Sequence, residues 1–192
     1  MTASSPPSEP RLAGTVLLDQ MAVISDAYGK NVLARAKTTL SVDMQQALDA
    51  LLPVSWIDTR AAMDLKNAVA RDVGMDPIEF QRWVVRAAVG NTIHKFWRAL
   101  LARVWDSAIV KRAPIIYSKT FDRGALEVVS FGDHVAELVV KGWSTMPDYD
   151  AIGLSAGIEA VLEYSGRRGA RVRFDRKEGI VLFHLTWRSK SP

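Results

Sequence analysis

The chain has 192 residues, no cysteine and a formal net charge of +4 at pH 7. Without cysteine it has no disulfide scaffold, no thiolate nucleophile, no iron–sulfur cluster and no cysteine-ligated zinc site. Hydrophobic residues make up 48% of the chain, a share that can form a core and that argues against a chain disordered throughout.

The first twelve residues are rich in Ser, Pro and Thr and offer little to bury. We predict that residues 1–12 form a flexible tail, that residues 13–188 fold as one domain and that residues 189–192 form a short second tail. The N-terminus has neither the basic start nor the apolar run of a signal peptide, and no stretch of about eighteen uncharged apolar residues follows it. We therefore expect a cytoplasmic protein without a transmembrane segment.

Basic residues are concentrated near the C-terminus. Residues 165–192 carry a formal charge of +6, whereas residues 1–164 carry −2. Such a cluster is most simply a solvated hairpin face, but it is also typical of a surface that attracts a charged partner. Candidate partner-binding residues are Arg167, Arg168, Arg171 and Arg173. We do not expect nucleic acid as the partner, because no recognition helix or RNA-binding aromatic pattern is present.

The first two-thirds of the chain has helical periodicity. Ser41 and Asp58 stand where N-caps are expected, and Asp76 followed by Pro77 is typical of a helix start. We expect the helix that begins there to end at Gly90.

The most regular helical pattern begins at Asn91. Its apolar positions recur with a spacing of three and four residues: Ile93, Phe96, Trp97, Leu100, Leu101, Val104 and Trp105. We expect this helix to be the central packing element. An aromatic stripe of this kind is more often core than the wall of a ligand cavity, and both interpretations stay open.

The last third of the chain changes to strand periodicity. The pattern predicts strands over 126–131, 135–140, 171–174 and 180–187, a helix over 148–164, and turns at 132–133 and 177–179. Helices followed by a β-β-α-β-β order predict an α+β fold. In it an N-terminal helical layer packs on a mostly antiparallel sheet of about four strands.

We find no catalytic centre in the sequence. His94, His134 and His184 are not spaced as metal ligands, and no phosphate-binding glycine loop is present. Ser155 lies in a G-x-S-x-G pattern, but inside a predicted helix rather than at the strand–turn–helix elbow that this motif requires. We predict no catalytic residue and no metal site. His94, at the edge of the aromatic stripe, is the histidine that we would place against a ligand.

Several short segments, taken in order, carry a resemblance. They are LPVSW at 52–56, RVW at 103–105, APIIY at 113–117, FDRG at 121–124, the stretch 157–173, and LTW at 185–187. In this order they resemble a family of paralogous, uncharacterised proteins best represented in myxobacteria. That family is similar to the ligand-binding domains of nitric-oxide signalling and Golgi transport, which include heme-NO-binding domains, vinyl-reductase-type sensor domains and vesicle-tethering subunits. The resemblance implies a helical layer against an antiparallel sheet, a small-molecule or acyl ligand between them, and a homodimer.

The chain departs from these relatives in two respects. Vinyl-reductase-type domains often carry cysteine in their C-terminal half, and this chain has none. Heme-NO-binding domains have a Tyr-x-Ser-x-Arg signature, and the stretch Tyr117-Ser118-Lys119 does not have that spacing. Because no histidine is assigned as a proximal ligand, we predict no cofactor.

These observations favour a non-catalytic module that binds or senses an apolar or acyl small molecule. Candidate ligand-binding residues are His94, Phe96, Trp97, Leu101, Tyr117, Lys119, Phe183 and Leu185. One alternative is a protein–protein interaction subunit with a filled core, which would use the basic hairpin or an exposed aromatic such as Trp56 or Trp143. The other is an enzyme of unknown class. A hollow helix–sheet interface would favour the first interpretation, and a cleft with titratable groups of perturbed pKa the last.

Overall fold

The computed structural model describes residues 10–92 and 106–188. Within these ranges a helical part precedes a four-stranded antiparallel sheet with one long helix inserted, so the predicted α+β fold is confirmed. The predicted aromatic helix from Asn91 to Trp105 falls almost entirely on residues 93–105, outside the described ranges. No helix of the described ranges is both long and apolar enough to cross a membrane.

The helical part comprises β1 (Arg11–Ala13), α1 (Gly14–Tyr28), α2 (Lys30–Thr38), α3 (Val42–Asp49), β2 (Trp56–Asp58), α4 (Thr59–Asp72) and α5 (Pro77–Thr92). After residue 105 come α6 (Asp106–Val110), α7 (Ala113–Thr120), β3 (Ala125–Gly132), β4 (Val135–Lys141), α8 (Asp148–Tyr164), β5 (Arg168–Lys177) and β6 (Ile180–Arg188).

The predicted helix starts are confirmed by their capping hydrogen bonds. The Oγ of Ser41 accepts from the backbone N of Met44 at 3.4 Å, and an Oδ1 of Asp58 accepts from the backbone N of Arg60 at 2.7 Å. Asp76 Oδ1 accepts from two backbone N–H groups of the first turn of α5, at 2.9 and 3.0 Å. These side chains satisfy donors that have no partner within the helix itself.

Helix α5 continues through Gly90 to Thr92, so the predicted end at Gly90 is wrong. This glycine faces α8, where an added Cβ would lie 2.3 Å from Oη of Tyr164. Glycine is therefore needed at this position for the close approach of two helices rather than for helix termination.

The sheet has the strand order β3-β4-β6-β5, and every neighbouring pair is antiparallel. Leu138 of β4 pairs with Phe183 of β6, and Phe183 pairs with Phe174 of β5. Alternate residues of β6 from Val181 to Trp187 are buried, as the period-two pattern predicts. The β3–β4 turn occupies residues 133–134 instead of 132–133, and β5 (Arg168–Lys177) is longer at both ends than the predicted strand 171–174.

Four elements were missed by the sequence analysis: β1, β2, α6 and α7. Strand β1 lies at the end of the segment predicted as a tail. Leu12 pairs there with Ile57 and also bridges to Phe121, and all three side chains are buried. An ion pair of 2.6 Å between Arg11 and Asp122 joins the same two regions. A three-residue strand that depends on such distant partners leaves no periodic pattern of its own.

Candidate ligand cavity

A cavity of about 780 Å³ lies between the helical part and the sheet. Its wall is formed by side chains of α1, α4, α5, α6, α7 and α8, with one leucine from each of β3, β4 and β6. This volume falls within the roughly 300–1,000 Å³ of small-molecule sites in proteins. The helix–sheet interface is thus hollow, which favours the ligand-binding interpretation over the subunit with a filled core.

The wall is predominantly apolar. Its apolar members include Leu12, Val16, Ala62, Val85, Ala88, Val89, Ile109, Val110, Ile115, Ile116, Phe121, Leu126, Leu138, Leu154, Ile158, Val161, Leu162 and Leu185. A pocket with this lining favours a ligand whose body is apolar, because burial of apolar surface is the main source of its binding energy.

Helical spacing explains how α4 and α8 contribute to the wall. Thr59, Ala62 and Lys66 lie three and four residues apart, so they share one face of α4. Gly153 and Gly157 share one face of α8 in the same way. A Cβ at Gly153 would lie 2.4 Å from Nε2 of Gln81, so the absence of a side chain lets α5 approach α8.

Three of the predicted ligand-binding residues line the cavity: Tyr117, Lys119 and Leu185. Tyr117 is buried on α7, and its hydroxyl donates to the carbonyl of Arg123 at 2.8 Å. Burial raises the pKa of this hydroxyl well above its usual range, so it stays a neutral phenol. Lys119, on the same helix, is exposed at the edge of the cavity.

Phe183 is not part of the cavity wall. It is fully buried in the sheet and packs against Phe174, with ring centroids 6.0 Å apart. The sequence analysis named Phe183 as a candidate ligand-binding residue, but Leu185 is the residue of β6 that reaches the cavity, because this face of the strand packs partly into the core. The other four candidates lie outside the described residues: His94, Phe96, Trp97 and Leu101.

The cavity wall contains a lysine and an aspartate that the sequence analysis missed. Lys66 is only 3% exposed, and its Nζ lies 5.2 Å from the centroid of the Tyr149 ring. Burial lowers the pKa of Lys66 to about 8, against the opposing attraction of Asp150. Burial in turn raises the pKa of the Asp150 carboxyl to about 6, which Lys66 opposes. Each group is therefore poised closer to neutrality than it would be in water.

Two buried glutamines add further polar groups to the wall. Gln20 on α1 and Gln81 on α5 both line the cavity and are 4% and 3% exposed. Within residues 10–92 and 106–188, neither Oε1 accepts a hydrogen bond. Nε2 of Gln81 donates weakly, at 3.5 Å, to the carbonyl of Tyr149. Burying an amide oxygen without a hydrogen-bond partner costs free energy. These glutamines therefore suit a ligand that brings a polar group into the cavity.

A sequence signal for Lys66 existed. The apolar stripe of α4 runs through Ala62, Leu65 and Val69. Lys66 is adjacent to Leu65 and four residues from Ala62, so it lies beside the stripe rather than on the opposite, solvated face. A lysine in this position is the feature that would have pointed to a buried charge.

The predicted partner-binding arginines separate into two groups. Arg167 is 1% exposed and donates to the carbonyl of Ser165 at 2.7 Å, so it is not part of a surface. Arg168, Arg171 and Arg173 are exposed along β5. Their role in partner binding stays a prediction.

The two tryptophans proposed as exposed partner contacts, Trp56 and Trp143, differ in their exposure. Trp143 is buried and packs edge-on against Phe121, with centroids 5.3 Å apart, so its predicted exposure is wrong. Trp56 is partly exposed. Ser155 lies inside α8 and donates to the carbonyl of Ala151 at 2.9 Å, which confirms that its motif is not a nucleophile elbow.

No family model and no curated protein matches the chain. Solved structures, in contrast, do match the chain. An Fe(II) unliganded H-NOX protein from K. algicida has a TM-score of 0.69 and 10% identity, over 94% of this chain and 99% of its own. An oxygen-binding H-NOX domain related to soluble guanylate cyclases has a TM-score of 0.66 and 15% identity, over 94% and 96%. A further structure, which concerns heme distortion in the H-NOX family, has a TM-score of 0.65 and 15% identity, over 94% and 96%.

At these identities the similarity shows the fold: the chain has the fold of H-NOX domains. This agrees with the resemblance to heme-NO-binding domains, whereas the similarity to a myxobacterial family stays a prediction. The prediction of no cofactor is wrong, because solved structures that share this fold over nearly their whole length are of heme proteins.

The described residues fit heme in part. The cavity has a suitable volume and an apolar wall, but among residues 10–92 and 106–188 that wall includes no His, Cys or Met. Tyr117, the remaining side chain of a type that ligates heme iron, donates its hydroxyl to Arg123 and is held as a phenol. The described part of the wall therefore provides space for heme but no axial ligand.

Proposed function

We propose that the chain is a non-catalytic domain that binds or senses a small molecule with an apolar body, held in the cavity between the helical part and the sheet. The observation that carries this proposal is the cavity itself, about 780 Å³ with an apolar wall, where a filled core would otherwise be expected. The shared fold with an oxygen-binding H-NOX domain supports a sensing role.

A non-catalytic role is supported by the arrangement of the polar side chains. No hydrogen bond joins Lys66 and Asp150 within the part of the chain that the structure describes, whereas an activated nucleophile needs contact with its base. The same part of the chain holds no group of three or more His, Asp or Glu side chains placed to bind a metal ion. The polar groups in the cavity are thus suited to recognition.

The test is a binding experiment with N-phenyl-1-naphthylamine, an uncharged apolar dye whose fluorescence rises in an apolar site. Ala62 lines the cavity on α4, and Ala62→Phe fills part of it; Ala47 is exposed on α3, so Ala47→Phe is the matched control. We expect the wild type and Ala47→Phe to bind the dye with the same affinity, and Ala62→Phe to bind it at least tenfold more weakly. Equal binding by all three proteins would reject the cavity as the site.

Heme is tested in parallel, because the structural neighbours include heme proteins. Hemin is titrated into the wild type and into Ala62→Phe, and its absorption spectrum is recorded. A saturable spectral change that is lost in Ala62→Phe would identify heme as a ligand of the cavity. An unchanged hemin spectrum, together with saturable dye binding, would identify a ligand class other than heme.

A further inference from the structure

We propose that Lys66, together with Gln81, forms a recognition site for the carboxylate head of a ligand whose apolar body fills the rest of the cavity. This inference rests on the proposed function and adds the chemical class of the ligand: an acid with a single negative charge and an apolar chain or ring system.

Lys66 is the principal evidence. A buried ammonium group loses its hydration and normally regains that free energy through an ion pair or hydrogen bonds. Within the described residues, Lys66 makes neither; its nearest interaction is with the Tyr149 ring at 5.2 Å, and Asp150 acts on it only at longer range. A carboxylate in the cavity would provide the missing acceptor for up to three N–H donors.

The glutamine amides add an independent observation. Gln20 and Gln81 line the same cavity, and both side-chain oxygens are without a hydrogen-bond donor among the described residues. An amide offers an acceptor and, on rotation, a donor at the same place. An ionised carboxylate only accepts hydrogen bonds, so it matches the NH₂ group that either amide presents after this rotation. Gln81 and Lys66 both contact Tyr149, so they reach the same end of the cavity.

Charge balance argues for a monoanion. Lys66 is a buried basic residue of the cavity wall, whereas the other basic wall residues, Arg112 and Lys119, are exposed. Asp150 faces the same region from α8, where burial already raises the pKa of its carboxyl group, and a bound anion would raise it further. Among the described wall residues Lys66 is the buried cation, so the site suits a single negative charge better than a phosphate dianion.

The test compares two probes of equal chain length, dodecanoate and 1-dodecanol, as competitors of N-phenyl-1-naphthylamine at pH 7. Lys66→Met removes the charge and keeps an apolar side chain of similar length, and Lys66→Gln is a second variant in case the first fails to fold. Lys30→Met, which removes an exposed lysine of α2 that does not line the cavity, is the matched control. Circular dichroism confirms that each variant is folded.

We expect dodecanoate to displace the dye from the wild type and from Lys30→Met at concentrations at least tenfold below those of 1-dodecanol. In Lys66→Met this preference should disappear, while displacement by 1-dodecanol stays within twofold of the wild type. Equal affinities of the wild type for the two probes, or a preference that survives in both Lys66 variants, would overturn the head-group site and leave the binding function intact. Failure of the wild type to bind the dye and both probes would overturn the binding function as well.

Discussion

A hydrogen bond of 3.0 Å runs from the backbone N–H of Val172 to Oε1 of Glu159, and it ties the buried face of α8 directly to β5. The other oxygen of the same carboxylate accepts from Arg82 at 2.6 Å and from Arg86 at 3.3 Å, both on α5. Glu159 is only 3% exposed. The carboxylate of Glu159 therefore joins α5 and α8, two of the helices that form the cavity wall, to strand β5 of the sheet.

Replacing Glu159 by Ala is expected to lower the free energy of unfolding by about 2–3 kcal/mol, because it leaves a buried N–H and two arginines without their acceptor. The arginines are partly exposed and can recover water, which keeps the loss below that of a fully buried pair. Glu127→Ala, which breaks an exposed ion pair with Lys141, is the control and should cost less than about 0.5 kcal/mol. Urea unfolding of both variants measures the difference; similar losses would contradict the role given to Glu159.

Two glycines of α8 give a second prediction. Gly153→Ala places a Cβ 2.4 Å from Nε2 of Gln81 and is expected to destabilise the protein by about 1–3 kcal/mol, because Gln81 or α5 must move. Gly157→Ala meets only ordinary contact, with Val85 at 3.5 Å, and should stabilise the helix by about 0.5–1 kcal/mol. In thermal unfolding, the melting temperature of Gly153→Ala should be lower than that of the wild type, and that of Gly157→Ala should be higher.

A third prediction concerns the pH dependence of stability. The pKa of Lys66 is about 8 in the folded protein and about 10.5 when unfolded. Between these values the unfolded state binds the additional proton, so the free energy of unfolding rises with pH over this window. Asp150, with a folded pKa of about 6, is already ionised there.

The wild type should therefore gain stability relative to Lys66→Met as the pH rises from 8 towards 10.5, by at most about 3 kcal/mol. The difference between the free energies of unfolding of the two proteins, taken at each pH, removes the contribution of the other lysines. Parallel curves for the two proteins over this range would show that Lys66 is not the buried titrating group.

Local chemistry explains what the sequence predicted of the fold. Ser41, Asp58 and Asp76 were identified as N-caps because a capping side chain bonds to the backbone two or three residues away. The strands β4 and β6 were identified because alternation along a strand is a local pattern. Helix α8 was predicted at both of its ends, Asp148 and Tyr164.

What the sequence did not predict depends on contacts between distant residues. Strand β1 exists because Leu12 meets Ile57 and Phe121, which are 45 and 109 residues further along the chain. Tyr117, Lys119 and Leu185 were predicted as ligand-binding residues and do line the cavity, whereas the buried polar side chains of the wall were missed. Gln20, Lys66 and Gln81 come from three different helices, and no sequence pattern shows that they face one cavity.

The measurement that tests the central claim most directly is native mass spectrometry of the wild type and of Ala62→Phe, each purified without added ligand and then incubated with dodecanoate or hemin. We predict an additional mass on the wild type that is lost on denaturation and is absent from Ala62→Phe. A wild type that shows only the bare polypeptide mass, both as purified and after each incubation, would contradict the claim that the cavity between the helical part and the sheet is a binding site.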